Sequence, residues 1–315
     1  MPLNEKVSDA LHAPVGWLLH LVALLPFGML YLLADFIYLI LYYVVGYRKK
    51  VARQNMSEAF PEKSGKEITA TMRLFYRWLA DYMVETIKLL HISNRQIRSR
   101  FVFKNMELVD SYFDQGRSIV AYAAHYCNWE WIPSITLWSR HGHDGKVFAQ
   151  IYRPLKSRWA DSFLLNLRKR FGSVGLPKKT AFRHLIGYKR DGVATITGFM
   201  SDQHPSHGDP GHITRLLNHD TAMITGTETL ARRLGFAVVY FEIYRPSRGH
   251  YVCTMRDITA SPQNEPQGAI TERYTRMLEN QIRTQPEVWL WTHKRWKKKV
   301  TLTPETGESN GNSPS

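Results

Sequence analysis

The chain has 315 residues, 44% of them hydrophobic, which is enough for one large domain or two small ones around a sizeable core. Lys and Arg number 42 against 27 Asp and Glu, a formal charge of +15 with a pI near 9.8, so the partners to expect are anionic: nucleic acid, a membrane face, acidic proteins or phosphates. Two cysteines, Cys127 and Cys253, exclude a disulfide framework and fit a reducing compartment.

Residues 1–13 are short and polar, and residues 14–46 are mostly apolar, interrupted by Pro26, Gly28 and Asp35. The run is longer than the ~7–15 residues of a signal-peptide core, and no small-residue cleavage site comes after it. Residues 27–47 are long enough to span a bilayer, and Arg48, Lys49, Lys50 and Arg53 come directly after. The positive-inside rule places the rest of the chain in the cytoplasm. Two membrane readings stand: a single span, or a bent helical hairpin lying in one leaflet with Pro26 at the bend. A buried core helix is the bland alternative.

After a polar break at 61–65, residues 66–90 predict a long amphipathic helix from Ile68, Met72, Phe75, Leu79, Met83, Ile87 and Leu90. Glu85 sits at the edge of that stripe as a solvated residue. Residues 101–113 mix strand and helix character. Residues 118–124 predict a buried strand, with Asn128 as a helix cap and residues 129–140 as a helix limited by Pro133. A strand at 146–152 leads into a basic turn, and a helix at 158–171 comes next. Asp191-Gly192 mark a turn before a strand at 193–200, and a His/Pro/Gly-rich loop runs from His204 to His212. Thr225-Gly226-Thr227-Glu228 has capping-box form and predicts a helix to Leu234, closed by Gly235. Strands at 236–244 and 251–255 are expected to be antiparallel, and a helix at 269–284 precedes a Trp- and Lys-rich stretch at 289–299. Residues 301–315 are polar and expected to be disordered.

This alternation predicts an α/β fold: a central, mostly parallel or mixed sheet flanked by helices, with an N-terminal membrane-embedded helix. The expected division is an anchor at 1–47, a catalytic α/β domain at 48–300 and a tail at 301–315. Strand ends near His125, Arg153, Asp202 and Arg245 are expected at one sheet edge, where open α/β sheets bind ligands.

His125 and Glu130 stand five positions apart. In a regular helix they would point about 140° apart, so they meet only if His125 lies in a turn and Glu130 in the next helix's first turn. A histidine accepts a proton at neutral pH, and a carboxylate beside it fixes its tautomer. The alternative is a surface histidine beside an unrelated glutamate. Cys127 is a poor nucleophile candidate, because adjacent chain positions seldom align with a base. His204, His207, His212 and His219, with Asp202, Asp209 and Asp220, raise a metal-dependent hydrolase as a rival, although their spacing matches no strong zinc signature. The 289–299 stretch suits either nucleic acid or an anionic membrane surface. The apolar N-terminal run favours the membrane and leaves a non-enzymatic, membrane-bound nucleic-acid or interaction protein as the other rival.

With these residues in place, the chain resembles the bacterial lipid A biosynthesis acyltransferases, the late lauroyl/myristoyl enzymes of the His-x4-Asp/Glu superfamily. The resemblance rests on His125-Tyr-Cys-Asn128-Trp129-Glu130, Tyr152-Arg153-Pro154-Leu155-Lys156, Ser201-Asp202-Gln203 and Trp289 to Lys297. It also rests on Tyr47-Arg48-Lys49-Lys50 through Phe60-Pro61-Glu62, and it covers roughly residues 15–299. The family's Phe-Phe-Gly-like element is replaced by Leu216-Leu217-Asn218-His219-Asp220.

The resemblance implies transfer of a fatty acyl chain from an acyl carrier protein thioester to a hydroxyl of a lipid A precursor at the bacterial inner membrane, on its cytoplasmic side. It involves no cofactor, no metal and no nucleic acid. The roles it implies are His125 as general base, Glu130 orienting it, and Arg153 stabilising substrate or oxyanion charge. Asp202 would support a basic residue or the acceptor. Lys156 and Arg245 would bind substrate; Asn128 would touch it or hold the turn. Arg48 to Arg53 and Lys294 to Lys299 would face anionic lipid. Another aminolipid or glycolipid acceptor is the nearest alternative.

Overall fold

The structure is a computed structural model describing residues 3–205, 209, 211–297 and 300–301, with side chains described from Pro14 onward. His207, Lys298, Lys299 and residues 302–315 lie outside the described residues. The N-terminal half opens with helices α1 (Leu3–Leu24), α2 (Phe27–Leu39, continued by a π-helical turn at Ile40–Val44), α3 (Lys49–Ala59), α4 (Gly65–Lys88) and α5 (Asn94–Arg100). It continues through β1 (Phe101–Lys104), α6 (Met106–Asp114), β2 (Ile119–Ala123) and a 3-10 helix at Trp129–Leu137. Then come β3 (Val147–Tyr152), α7 (Arg158–Lys169), β4 (Val174–Pro177), α8 (Ala181–Arg190), β5 (Thr195–Met200) and the hairpin β6 (His212–Leu216) and β7 (His219–Met223). Helix α9 (Gly226–Leu234), strands β8 (Ala237–Ser247) and β9 (His250–Thr259), and α10 (Ala269–Thr284) complete it.

Seven strands form one sheet in the order β1-β9-β8-β2-β5-β3-β4. Every pairing is parallel except β8 with β9, so the expected mostly parallel α/β sheet and its antiparallel hairpin are both present. β2 is buried at all five residues, as a central strand covered on both faces must be. A two-residue αL turn at Leu217 and Asn218 makes the β6–β7 hairpin, in a stretch beyond the His204–His212 loop to which the sequence assigned no element.

Local chemistry sets the helix ends. Ser64 and Glu67 form a reciprocal capping box on α4, and Ser93 and Gln96 do the same on α5. The capping box expected at Thr225 does not form. The Thr225 hydroxyl is bonded to Asp209, and Glu228 accepts instead from Gly268 and Thr271 at the start of α10. Gly235 ends α9 at φ 70°, in the left-handed region that glycine tolerates. Asn128 is not a side-chain cap either, and the stretch after it winds as 3-10 rather than α helix, with Pro133 inside.

Glu85, expected in solvent, is fully buried on α4. Its carboxylate accepts from Asn128, Tyr251 and Tyr31 at 2.8, 2.7 and 3.1 Å. Beside it, buried Asp81 takes Arg245 and Arg248, and Arg248 also reaches Asp35 on α2. Burial pushes Glu85 above the usual carboxylate range, and Arg245 offsets this only in part. One polar network therefore joins the N-terminal helices, α4 and the β8–β9 hairpin. Removing one partner of a buried pair leaves the other charge unpaired, at a cost of ~3–5 kcal/mol. Asp81→Ala is therefore expected to lower the unfolding midpoint of the full chain in detergent clearly; an unchanged midpoint would contradict this account of the network.

Candidate active site

Strand register places the two central residues. β2 and β5 are parallel neighbours with Ala123 opposite Met200. His125 and Asp202 each lie two residues beyond those ends, so the chain delivers them side by side at the carboxyl edge of the sheet. His125 Nδ1 lies 2.8 Å from Asp202 Oδ1, and the His125 backbone N–H donates to Oδ2 at 3.0 Å. The Trp289 indole N–H donates to the same Oδ2 at 2.9 Å. A carboxylate only accepts, so Nδ1 carries a proton, and in the neutral ring the lone pair is then on Nε2. Burial pushes the Asp202 carboxyl up, but His125 and the hydrogen bonds from His125 and Trp289 outweigh it and hold it below the usual range.

The loop that carries His125 is fixed by the chain's C-terminal segment. Cys127 N–H donates to Val288 O, Leu290 N–H donates to His125 O, and Tyr126 bridges Trp289. Cys127 itself takes φ 52° and is buried, with its thiol pushed well up by burial, as expected of a packing residue and not of a nucleophile.

Glu130 does not pair with His125. The Arg168 guanidinium on α7 clamps it, Nε to Oε2 at 2.7 Å and Nη2 to Oε1 at 2.6 Å, and the Trp129 indole donates at 3.2 Å. The 3-10 winding carries Glu130 toward α7 while Asp202, supplied by a neighbouring strand, takes the histidine. The carboxylate beside the His125 ring is therefore Asp202 and not Glu130. Trp129 packs edge-on against the His125 ring, with centroids 5.2 Å apart, so the Glu130–Arg168 clamp also fixes one wall of the histidine.

A cavity of about 850 Å³ adjoins the pair, within the range of ~300–1,000 Å³ usual for ligand sites. His125, Glu130, Arg168, Gln203 and Arg153 line it together with many apolar side chains, among them Phe148, Ile196 and Phe241 from the sheet. Arg153 is exposed at the end of β3, in the place expected for it. Lys156 is exposed and outside the cavity lining. Arg245 is not at the site, because β8 runs on to Ser247 and carries it past the sheet edge onto Asp81. Asn128 is fully buried on Glu85 and supports the turn; it does not face the cavity.

The described members of the His/Asp cluster go to separate partners. Asp202 holds His125, His212 meets Glu272 at 3.0 Å, and His219 stacks on Trp296. Among the described residues no three candidate ligands converge on a metal-sized site. Trp289, Trp291 and Arg295 are buried, so these three side chains offer no surface for stacking bases, whereas Lys294 and Lys297 are exposed. Burial lowers the Arg295 pKa to about 10.

The profile of the bacterial lipid A biosynthesis acyltransferase family matches residues 8–298. The chain belongs to that family. It is 22% identical over 265 residues to the lipid A biosynthesis palmitoleoyltransferase of Escherichia coli (strain K12), a match covering 84% of this chain and 81% of the relative. The lipid A biosynthesis acyltransferase of Shigella flexneri matches over the same shares at the same identity. The chain is therefore an acyltransferase of lipid A synthesis.

Arg168, Trp289 and Gln203 complete the site, yet none of them stands out individually in the sequence. Gln203 and Trp289 fall within the Ser201-Asp202-Gln203 and Trp289 to Lys297 blocks, whereas Arg168 lies in an unremarkable amphipathic helix. Replacing Asp202 by Asn removes the acceptor that fixes the tautomer, and kcat is expected to fall by roughly 10²–10⁴-fold with little change in KM. The depressed Asp202 contributes stability that is fully present above its unfolded pKa of ~3.9 and lost as pH falls through the lower folded value. An acid-unfolding titration should lose that component in Asp202→Asn; equal kcat or an unaltered acid limb would contradict the pairing.

Proposed function

We propose that the protein transfers a fatty acyl chain from an acyl carrier protein thioester to a hydroxyl of a lipid A precursor, at the cytoplasmic face of the bacterial inner membrane. The observation that carries this reading is the oriented His125–Asp202 pair beside a cavity lined largely by apolar side chains. His125 Nε2 takes the proton of the acceptor hydroxyl as its oxygen attacks the acyl carbon. The new C–O bond forms, the C–S bond breaks, and the proton passes to the departing thiolate, giving ester and free thiol. Asp202 stabilises the imidazolium between these steps. Arg153, exposed at the cavity, stabilises charge on substrate or oxyanion. The Glu130–Arg168 clamp holds the Trp129 wall and thereby positions the histidine. Cys127, the thiol next to His125 in the chain, is buried with its pKa pushed well up, which supports direct transfer without an acyl-enzyme.

The net charge of +15 favours recruitment of an acidic carrier protein and of anionic lipid. The family and the relatives support the lipid A acceptor, and a related glycolipid taking the same chemistry is the second reading. Lipid mass spectrometry with and without the gene separates these two.

Purified full chain given acyl carrier thioester and lipid A precursor is expected to release thiol and add one acyl chain. His125→Ala should lower turnover at least ~10²-fold, the scale of lost general-base catalysis. Near-normal turnover would overturn the assignment. Gly198 lines the cavity, and a Cβ there would meet Phe241 at 3.7 Å, an ordinary contact. Gly198→Ala should therefore fold and take up cavity space. With each lost methylene contact worth ~0.8 kcal/mol, activity should fall more steeply for long acyl donors than for short ones; an equal fall for all lengths would count against acyl binding there.

A further inference from the structure

The apolar N-terminal segment admits two membrane placements, and its packing separates them. By length and composition, Phe27–Val44 could cross a bilayer, and only 28% of it is buried. It does not stand apart from the catalytic domain. It runs antiparallel along α4 for its full length. The Lys88 ammonium faces the Phe27 ring, and Tyr31 bonds Glu85. Asp35 is joined to Asp81 through Arg248. Arg77 lies over Tyr38, and Tyr42 packs on Tyr76. The end of α1 is tied to the same helix, where Lys88 Nζ donates to the carbonyls of Ala23 and Leu25.

These contacts fix depth. A helix crossing hydrocarbon about 30 Å thick would carry with it whatever lies at its own level. Here that includes Arg77, Asp81, Glu85 and Lys88 of α4, and Arg248 from the β8–β9 turn of the sheet. Charged groups of a water-soluble domain do not occupy the centre of a bilayer without a polar path. The outward side of α2, in contrast, is apolar at helical spacing: Met29, Leu32, Phe36, Leu39 and Tyr43 are all exposed. α1 adds exposed Trp17, Leu18, Leu21 and Leu24. Exposed Arg48, Lys50 and Arg53 come directly after, complementary to anionic headgroups at the edge of such a patch.

We infer that α1 and α2 do not cross the membrane: they lie in one leaflet of an anionic phospholipid bilayer, with the Met29–Tyr43 stripe immersed and α4 facing the headgroups from the domain side. The inference rests on the membrane association proposed above and fixes its geometry. The sheet and its cavity then sit against the surface on which an amphiphilic acceptor resides, held there by a face and not by a tether.

Depth measurement tests this on the full chain. Single Cys replacements at Met29, Leu32, Phe36, Leu39 and Tyr43, each spin-labelled, are bound to phosphatidylethanolamine/phosphatidylglycerol vesicles; native Cys127 and Cys253 are buried and stay unlabelled. Oxygen and nickel-chelate accessibility then gives each depth. One shared depth of ~5–10 Å at all positions is expected for a helix lying in the interface. A depth that rises to the bilayer centre near Phe36 and falls toward both ends would overturn the inference while leaving membrane association intact. Failure of the protein to float with vesicles would overturn both. Five positions on one exposed stripe keep the profile readable if one variant does not fold.

Discussion

The Asp202 carboxylate is the point on which the site converges. It is buried, and it accepts from the His125 ring, the His125 backbone and the Trp289 indole. Those three donors come from the end of β2 and from the C-terminal segment, while Asp202 itself lies just past β5. A buried carboxylate is stable only when its lone pairs are occupied, so the same bonds that offset its desolvation also fix the histidine's tautomer and seat the C-terminal segment. Loop, base and C-terminal segment are thus ordered by one electrostatic requirement.

Two further buried carboxylates divide the remaining work. Glu130 with Arg168 braces the wall against which His125 packs. Glu85, through Asn128 and Tyr31, joins the turn after His125 to α2. The second link means that α2 and the turn beside the base share a polar core. Such networks add little net stability over apolar packing, but they specify one arrangement among many. On the membrane placement proposed above, the same connected network would fix the base relative to the membrane face.

Much of this is legible in the sequence. Continuous apolar runs bounded by turns locate β2, β5 and the β8–β9 hairpin, and the periodicity of residues 269–284 matches α10 to the residue. His125, Asp202 and Arg153 stand out because strand ends converge in parallel sheets. The partner of His125 is not legible, because chain proximity favours Glu130, whereas register brings Asp202 from 77 positions away. Spacing along the chain carries no information about which parallel strand lies alongside. Arg245 departs from expectation for a related reason: strand length past the sheet edge is set by its hairpin partner β9, which composition alone does not reveal. Glu85 is invisible because a glutamate at the edge of an amphipathic stripe reads as solvated, and its buried partners come from three other elements. The β6–β7 hairpin turns at Leu217-Asn218, a pair with no glycine to mark it, directly after a His-, Pro- and Gly-rich loop.

The measurement that bears most directly on the account is a double-mutant cycle on His125 and Asp202, read as kcat with acyl carrier thioester and lipid acceptor. Groups that act as one unit are strongly non-additive. The account predicts that His125→Ala with Asp202→Asn is no slower than His125→Ala alone. Losses that simply multiply would mean that Asp202 acts apart from the histidine, and would contradict the pair as the catalytic unit.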